Sequence, residues 1–252
     1  MKLGLIGAGN MASALARGIG EPVLVADVDA AKAEALAAEL GGEAVASNAE
    51  LAERADAVVL CHKPKQIAEV AEQVGGRAKV VVSILAATDT AALEDAYPGV
   101  PVYRFIPNIP AEVQQGVLCY VPGLLAGEGP EREILELFGR AGAIIPLDSE
   151  PLIEPAMALM SCAPAFMALV AESFADAGVA HGLEPEQALR MTVETMAGTA
   201  AYLREHAYDT AAVKVRVATP GGTTERGLIA LEQRGLRDVC RAAVDAVVEA
   251  TR

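Results

Sequence analysis

The first 150 residues alternate short apolar runs with segments whose apolar side chains recur at helical spacing. The run at 2–6 ends at Gly7 and predicts a buried strand, and the spacing of Met11, Leu15 and Ile19 predicts a helix over 10–19. The same alternation predicts further strands at 23–26, 57–61, 80–85, 102–106, 117–121 and 143–146, and helices at 30–40, 65–74 and 131–140. Because the strands are apolar on both faces, we expect an α/β fold in which helices cover both sides of a parallel sheet.

The pattern changes after Asp148, where strand-like runs stop and three long helical patterns follow at 152–179, 184–205 and 220–251. The change predicts a domain boundary near 150, with an α/β domain at 1–150 and an all-helical domain at 151–252. The first of the three helices has little polar character on any face, and such a helix must be buried. About 100 residues offer few partners within one chain, so we expect burial against a second copy and at least a homodimer.

Composition and charge limit the possible partners. The chain of 252 residues is 53% hydrophobic but only 4% aromatic and has no Trp, so its core is built from aliphatic side chains. The net charge of −14 repels phosphate backbones and makes nucleic acid an unfavourable partner, and most of this charge serves solubility.

The four cysteines and three histidines form no pattern typical of a zinc site or a disulfide framework. Free thiols fit a reducing cytosol, and the N-terminus carries no apolar signal segment, so we expect a cytoplasmic protein. The longest uncharged run, 155–171, is shorter than the roughly 20 residues that cross a bilayer, and Pro164 interrupts it. We therefore interpret it as a buried helix and expect no membrane partner.

The sequence Gly7-Ala8-Gly9-Asn10-Met11-Ala12 has the Gly-x-Gly-x-x-Ala form of a dinucleotide-binding loop. It follows a predicted strand and opens a predicted helix, and dinucleotide binding by such a loop requires this strand–turn–helix context. Gly7 permits the tight turn, Gly9 lets the backbone approach the pyrophosphate, and Ala12 keeps helix and strand close. Asn10 and Met11 begin the helix whose free N–H groups and dipole attract phosphates. The N-terminal domain is therefore predicted to be a Rossmann domain.

Asp27 lies 20 residues after Gly7, at the end of the second strand. An acid at this position accepts hydrogen bonds from the adenosine ribose and repels a 2′-phosphate, which favours NADH over NADPH. Either Lys32 or Lys63 could offset that repulsion, and Asp27 or Asp29 could instead cap the following helix. The cofactor prediction is therefore NAD(P)H, with a preference for NADH.

Several segments, in order from residue 3 to about 248, together resemble the pyrroline-5-carboxylate reductase family. They are Gly-x-Gly-Asn-Met at the start, His62-Lys63-Pro64, Ser83-Ile84-Leu85-Ala86, Arg104 to Asn108, Pro164-Ala165-Phe166, Thr219 to Thr224, Leu231-Glu232 and Gly235-Leu236-Arg237. Three departures occur. Ala87 replaces a usual Gly, Ser161-Cys162-Ala163 stands where Gly-Ser-Gly is common, and Val215 stands where an acid often follows Leu-Lys. Two of the three departures lie in the helical domain, where the substrate site is expected, and one lies in the α/β domain, where the cofactor is expected.

The resemblance implies hydride transfer from a nicotinamide to the C=N carbon of 1-pyrroline-5-carboxylate, giving L-proline. It implies that Gly221, Gly222, Thr223 and Thr224 bind the substrate carboxylate at a helix N-terminus, whereas the residues alone favour a capped helix start without a ligand. It also places the hydroxyl of Thr224 at the imine nitrogen, where it orients the nitrogen or relays a proton through water.

Further site residues follow from the same resemblance. Lys63, Pro64, Ala86 and Asn108 are expected near the cofactor, and Ser161 near the substrate. Each has an ordinary alternative: Lys63 as an exposed loop residue, Asn108 as a turn residue, and Ser161 as a packing residue. The histidines are expected to be solvent-facing or polar core residues, and none is assigned a catalytic role.

Three other functions remain open. A related imine reductase for another cyclic imino acid is compatible with the departures at 161–163 and 215. A 3-hydroxyacid dehydrogenase would need a Lys on the long helix, and 152–179 contains none. A regulatory dinucleotide-binding relative without turnover is disfavoured by the intact segment 219–224. An assay of hydride transfer to the imine separates these functions.

Overall fold

The computed structural model describes residues 1–250, which divide into two compact units, 1–164 and 165–250. The strands are β1 (Leu3–Ile6), β2 (Leu24–Ala26), β3 (Glu43–Ala44), β4 (Ala57–Leu60), β5 (Val81–Ser83), β6 (Val102–Ile106), β7 (Gly116–Pro122) and β8 (Gly142–Pro146). The first seven helices are α1 (Asn10–Ile19), α2 (Ala30–Glu39), α3 (Asn48–Arg54), α4 (Ile67–Val74), α5 (Thr90–Ala96), α6 (Glu131–Phe138) and α7 (Ile153–Met160). Short 3-10 turns occur at Pro64–Gln66, Ile109–Val113, Ala126–Glu128 and Glu150–Leu152.

The strands form one sheet in the order β3-β2-β1-β4-β5-β6-β7-β8. Alternate side chains of each strand enter opposite cores: Ala57 and Val59 pack with α1 and α2 on one face, while Val58 and Leu60 pack with α3 and α4 on the other. Burial on both faces explains the apolar runs seen in the sequence. The predicted α/β class is confirmed.

The expected parallel sheet contains one antiparallel pair, in which β7 runs opposite to β6, with Ile106 opposite Cys119. The reason lies in the connection. The strands are joined by the single 3-10 turn Ile109–Val113, which is too short for the crossover that parallel neighbours need. The remaining neighbours in the sheet are parallel, including β7 and β8.

Three short elements of the first unit were missed, namely β3, α3 and α5. The strand has two residues and each helix seven, too few for a clear hydrophobic period. The helices are instead marked by their N-caps, because Ser47 accepts the N–H of Glu50 and Asp89 that of Ala92.

The second unit is helical, with α8 (Ala163–Ala180, which begins in the first unit), α9 (Pro185–Glu205), α10 (Thr210–Val217), α11 (Thr223–Gln233) and α12 (Leu236–Ala250). The prediction of one helix over 152–179 was wrong, since α7 ends before Ser161 and α8 begins after Cys162. The predicted helix 220–251 is two helices separated at Gly235, whose φ of 77° is left-handed, and its predicted end at 251 lies outside the described residues. The helix α10 was not predicted.

The stretch Glu150–Ala180 is long and apolar enough to cross a membrane by length and composition alone, since its most apolar window of 18 residues has a mean hydropathy of 1.6. Only 17% of its most apolar window is buried in the single chain, so the predicted burial is not achieved within one copy. Exposed large apolar side chains on α8 include Met167, Leu169, Val170, Phe174 and Val179. An apolar surface of this kind on a helix marks a site of association.

Candidate active site

Most predicted cofactor residues meet at one edge of the sheet. The strands β1, β2, β4, β5 and β6 are parallel, so their carboxyl ends share an edge. Gly7 follows β1, Asp27 follows β2, Lys63 and Pro64 follow β4, Ala86 follows β5 and Asn108 follows β6. The chain crosses between β3 and β4 to opposite sides of β1, and such a switch point is where open α/β sheets bind ligands.

The glycine loop forms a tight turn between β1 and α1. Gly7 has a φ of 107°, and a Cβ there would lie 2.8 Å from the carbonyl oxygen of Cys61, so both the conformation and the space require glycine. A Cβ at Gly9 would meet nothing within 4 Å, which leaves the approach to the helix open. No side chain caps α1 and no acid lies in its first turn. Its free N–H groups therefore fit a phosphate donor set.

The side chain of Asp27 is bound to this loop. One carboxylate oxygen accepts the N–H of Ala8 at 2.7 Å, and the other accepts the N–H of Asp29 at 2.8 Å. Each oxygen keeps a second lone pair, so the carboxylate also has acceptors for ribose hydroxyls. The nearby Lys32 ammonium lies 3.5 Å from the carboxylate of Asp29 and is thus paired with its own neighbour.

The side chain of Asn108 is buried and its amide bridges two elements. Its Nδ2 donates to the carbonyl of Met160 at 2.9 Å, and its Oδ1 accepts the N–H of Val117 at 2.8 Å. This places the end of α7, and with it Ser161, beside the end of β6. The amide has one N–H and one lone pair left for a ligand.

Lys63 is exposed, and Pro64 begins a 3-10 turn closed by Gln66, whose side chain accepts the N–H of Lys63 at 3.2 Å. Ala86 is exposed at the carboxyl edge. Its neighbour Ala87 has a φ of 50°, the left-handed conformation that glycine adopts most easily, which gives a physical reason for the glycine expected there.

The predicted carboxylate cradle belongs to the second unit, at the start of α11. The N–H of Gly222 donates to the carbonyl of Thr219 at 2.9 Å, and that of Gly221 to the carboxylate of Glu225 at 2.6 Å. Thr223 and Thr224 are exposed, and within residues 1–250 their N–H groups have no acceptor. The free donors for an anion are therefore those of the two threonines.

Sequence reasoning missed a charged cluster beneath the carboxyl edge. Arg104 on β6 is 4% exposed and forms an ion pair with Glu150, which also accepts the hydroxyl of Thr90 at 3.2 Å. Burial lowers the pKa of Arg104 from its usual value, while the charge of Asp89 acts in the opposite direction. The signal available in the sequence was one Arg inside an apolar strand.

Comparison with known proteins agrees with this arrangement. Residues 150–252 match the family model for pyrroline-5-carboxylate reductase dimerisation, which supports a homo-oligomer. Residues 2–87 match the model for NADP oxidoreductase, coenzyme F420-dependent. The match to the dimerisation model begins at residue 150, and the predicted boundary there stays a prediction.

Full-length relatives show the same family. The chain is 32% identical to the pyrroline-5-carboxylate reductase of Treponema pallidum, covering 98% of this chain and 97% of that protein. The structure of the Coxiella burnetii enzyme is similar with a TM-score of 0.90 and 27% identity, over 99% of this chain and 96% of that one. The Plasmodium falciparum pyrroline carboxylate reductase with NADP bound has a TM-score of 0.85 and 26% identity, over 100% and 97%. The chain belongs to the pyrroline-5-carboxylate reductase family.

Proposed function

We propose that this protein reduces 1-pyrroline-5-carboxylate to L-proline with NADH or NADPH. The observation that carries the proposal is the open α1 N-terminus at a topological switch point, in a chain that matches pyrroline-5-carboxylate reductases over nearly its whole length. Bound dihydronicotinamide supplies the hydride for the C=N carbon, and a proton on the nitrogen completes the amine. The chain itself binds, orients and screens the two reactants.

The cofactor is assigned to the carboxyl edge of the sheet. Gly7, Gly9, Asn10 and Met11 hold the pyrophosphate through backbone N–H groups, and Asp27 accepts the adenosine ribose hydroxyls. Lys63, Pro64, Ala86 and Asn108 line the nicotinamide side. The fit rests on the open space at Gly9 and on the uncapped helix start.

We assign a preference for NADH to Asp27. Its carboxylate is fixed by the N–H groups of Ala8 and Asp29. Turning away from a 2′-phosphate would break these two hydrogen bonds. Lys32 is paired with Asp29 and does not offset the repulsion. The P. falciparum relative was solved with NADP bound. The preference for NADH is therefore proposed for the present chain and not for the relatives.

The substrate is assigned to the start of α11. The N–H groups and hydroxyls of Thr223 and Thr224, with the backbone of Gly221 and Gly222, receive the carboxylate, and Ser161 borders the ring. The hydroxyl of Thr224 is the catalytic group at the imine nitrogen, which it orients or supplies with a proton through water. Glu225 occupies the N–H of Gly221 and confines the substrate carboxylate to the threonine side.

The working form is a homodimer or a larger homo-oligomer in the cytoplasm. Its partner is a small cyclic imino acid, and neither nucleic acid nor a membrane is part of the proposal. The exposed apolar side chains of α8, in the segment that matches a dimerisation model, support association between copies. Light scattering that shows a stable monomer at micromolar concentration would contradict this part.

The decisive experiment follows oxidation of NADH and of NADPH with 1-pyrroline-5-carboxylate for the wild type, Thr224→Ala and Thr224→Ser. We expect wild-type turnover, a loss of about tenfold to a hundredfold in kcat for Thr224→Ala, and near-normal activity for Thr224→Ser. Thr210→Ala is the control, because Thr210 is an exposed threonine at the start of the neighbouring α10. Tight NADH binding without turnover of this imine would exclude the proposed substrate.

A further inference from the structure

The break between α7 and α8 follows from the backbone groups around it. The N–H groups of Ser161 and Cys162 both donate to the carbonyl of Met157, each at 2.9 Å, so Cys162 departs from the regular helical pattern. In an uninterrupted helix the carbonyl of Met160 would accept the N–H of the residue four positions later. That residue is Pro164, which has no N–H. The break therefore leaves a carbonyl without its helical donor next to Ser161, the residue assigned to the substrate.

The side chain of Asn108 supplies the donor that Pro164 lacks. Its Nδ2 lies 2.9 Å from the carbonyl oxygen of Met160, and both residues are buried, at 5% and 6% exposure. Its Oδ1 accepts the N–H of Val117 at 2.8 Å, which fixes the direction of the amide. Buried carbonyl groups at helix ends need such a partner. The amide of Asn108 thus takes the place of the missing helical hydrogen bond.

The segment that ends at this break is held against β6 along its length. Its start is joined to the strand by the ion pair between Glu150 and Arg104. Its side chain Met160 packs with Ile106, the last residue of the strand. Asn108, two residues after the strand ends, holds the last carbonyl of α7. The position of the break is therefore set by a strand whose carboxyl end borders the assigned cofactor site.

We propose that Asn108 is a positioning residue for the reduction. Through the carbonyl of Met160 it fixes the break between α7 and α8, and with it Ser161, relative to the carboxyl edge of the sheet. The inference rests on the proposed function, because Ser161 is assigned to the substrate there. Although Asn108 lies on the nicotinamide side, its Nδ2 and Oδ1 are both engaged by the protein. Its loss is therefore expected to weaken the imine site while the cofactor stays bound.

Kinetics and cofactor binding separate positioning from direct contact. The wild type and Asn108→Ala are compared in kcat and KM for 1-pyrroline-5-carboxylate, and in NADH affinity measured calorimetrically without the imine. We expect the KM for the imine to rise about three- to tenfold, the effect of one lost hydrogen bond, and NADH affinity to change by less than about twofold. An unchanged KM overturns the proposal. So does an NADH affinity that falls as much as the KM rises, because that result indicates a direct cofactor contact.

A double-mutant cycle with Pro164→Ala tests the route through Met160. This substitution provides the N–H that proline lacks, so the Met160 carbonyl no longer depends on Asn108. In the Pro164→Ala background, Asn108→Ala should lower the urea denaturation midpoint less, and raise the KM by a smaller factor, than in the wild type. Equal effects in both backgrounds would show that the two residues act independently, which overturns the proposal.

Two further variants distinguish positioning from a general loss of structure. Asn108→Ser keeps a hydroxyl acceptor but is too short to reach α7, so it should show the same rise in KM even where Asn108→Ala does not fold. Ser47→Ala is the matched control, because it also removes one side-chain hydrogen bond, from the N–H of Glu50, at the exposed start of α3. It should leave the KM unchanged. A wild type that binds NADH without turning over the imine contradicts the proposed function, whereas the denaturation midpoints still decide whether Asn108 and Pro164 are coupled.

Discussion

The backbone N–H of Ala8 donates a hydrogen bond of 2.7 Å to the carboxylate of Asp27. This bond joins the glycine loop after β1 to the end of β2, the two segments assigned to the phosphates and to the adenosine ribose. Because the same carboxylate shapes the loop and faces the ribose, a change at Asp27 is expected to alter both cofactor choice and loop geometry.

Asp27→Asn should shift the cofactor preference. Loss of the charge removes about 1.4 kcal/mol of repulsion toward a 2′-phosphate, so the ratio of kcat/KM for NADH to that for NADPH should fall about tenfold. Steady-state kinetics with both cofactors measures the ratio. Glu34→Gln removes the same charge from an exposed position of α2 and should leave the ratio unchanged. An unchanged ratio in Asp27→Asn would remove Asp27 as the determinant.

Gly18→Ala should destabilise the first unit even though alanine favours a helix. A Cβ at Gly18 on α1 would overlap the carbonyl oxygen of Ala111 in the 3-10 turn Ile109–Val113. The forced shift is expected to cost about 1–3 kcal/mol, more than the roughly 1 kcal/mol of helix propensity gained. Urea denaturation measures the difference. Gly127→Ala, where a Cβ meets nothing within 4 Å, is the control, and equal stability of the two variants would refute the packing argument.

Glu150→Gln should lower the free energy of unfolding by about 3 kcal/mol, because it leaves the buried guanidinium of Arg104 without its counter-charge. Chemical denaturation provides the measurement. The comparison is Glu136→Gln, which breaks the exposed pair with Arg132 at 3.8 Å and should cost less than about 1 kcal/mol. Similar losses in the two variants would show that the buried ion pair contributes no more to the free energy of unfolding than the exposed one.

Ala87→Gly should stabilise the protein by about 0.5–1 kcal/mol, because it relieves the left-handed conformation at a φ of 50°. The same substitution at Ala35, exposed in the middle of α2, should instead cost about 1 kcal/mol. Thermal melts of the two variants are expected to shift in opposite directions, and a loss at both positions would contradict the strain at Ala87.

His62 should make stability depend on pH below 6.5. Burial lowers its folded-state pKa, so between that value and 6.5 the unfolded chain binds more protons than the folded one. Stability is then complete above pH 6.5 and decreases as the pH falls toward the folded pKa. Denaturation midpoints of the wild type and His62→Leu are compared from pH 7.5 to about 5, and the wild-type midpoint should fall relative to that of the variant on acidification. Parallel curves would show that His62 does not titrate in this way.

Local signals in the sequence were sufficient for most of the first unit and for its cofactor loop. Strands that are buried on both faces leave apolar runs in the sequence. Interpreting Gly7-Ala8-Gly9 as a dinucleotide loop required only a strand before it and a helix after it, and the structure has both. The elements that were missed are short or depend on capping, as at Ser47 and Asp89. The break at Ser161-Cys162 was also missed, because the apolar residues on both sides carry no periodic sign of an interruption.

Contacts between distant residues required the tertiary structure. The sequence placed Arg104 in a strand, and it gave His62 only as part of a segment that resembles the family. Their roles depend on which groups lie opposite them: Glu150 is the counter-charge for the buried Arg104, whereas Nε2 of His62 has no hydrogen-bond partner among residues 1–250. Such relationships arise from long-range packing, which local periodicity does not encode.

The sequence by itself determined the α/β class of the first half, the helical second half, the dinucleotide loop and the family resemblance. All of these follow from patterns within about 30 residues, or from the order of short motifs. The tertiary structure decided the antiparallel β7, the anchoring of Asp27 by Ala8, the bridge from Asn108 to Met160 and the burial of His62. The physical reason is that hydrogen bonds and burial are satisfied between whichever groups the fold brings together, and those groups are far apart along the chain.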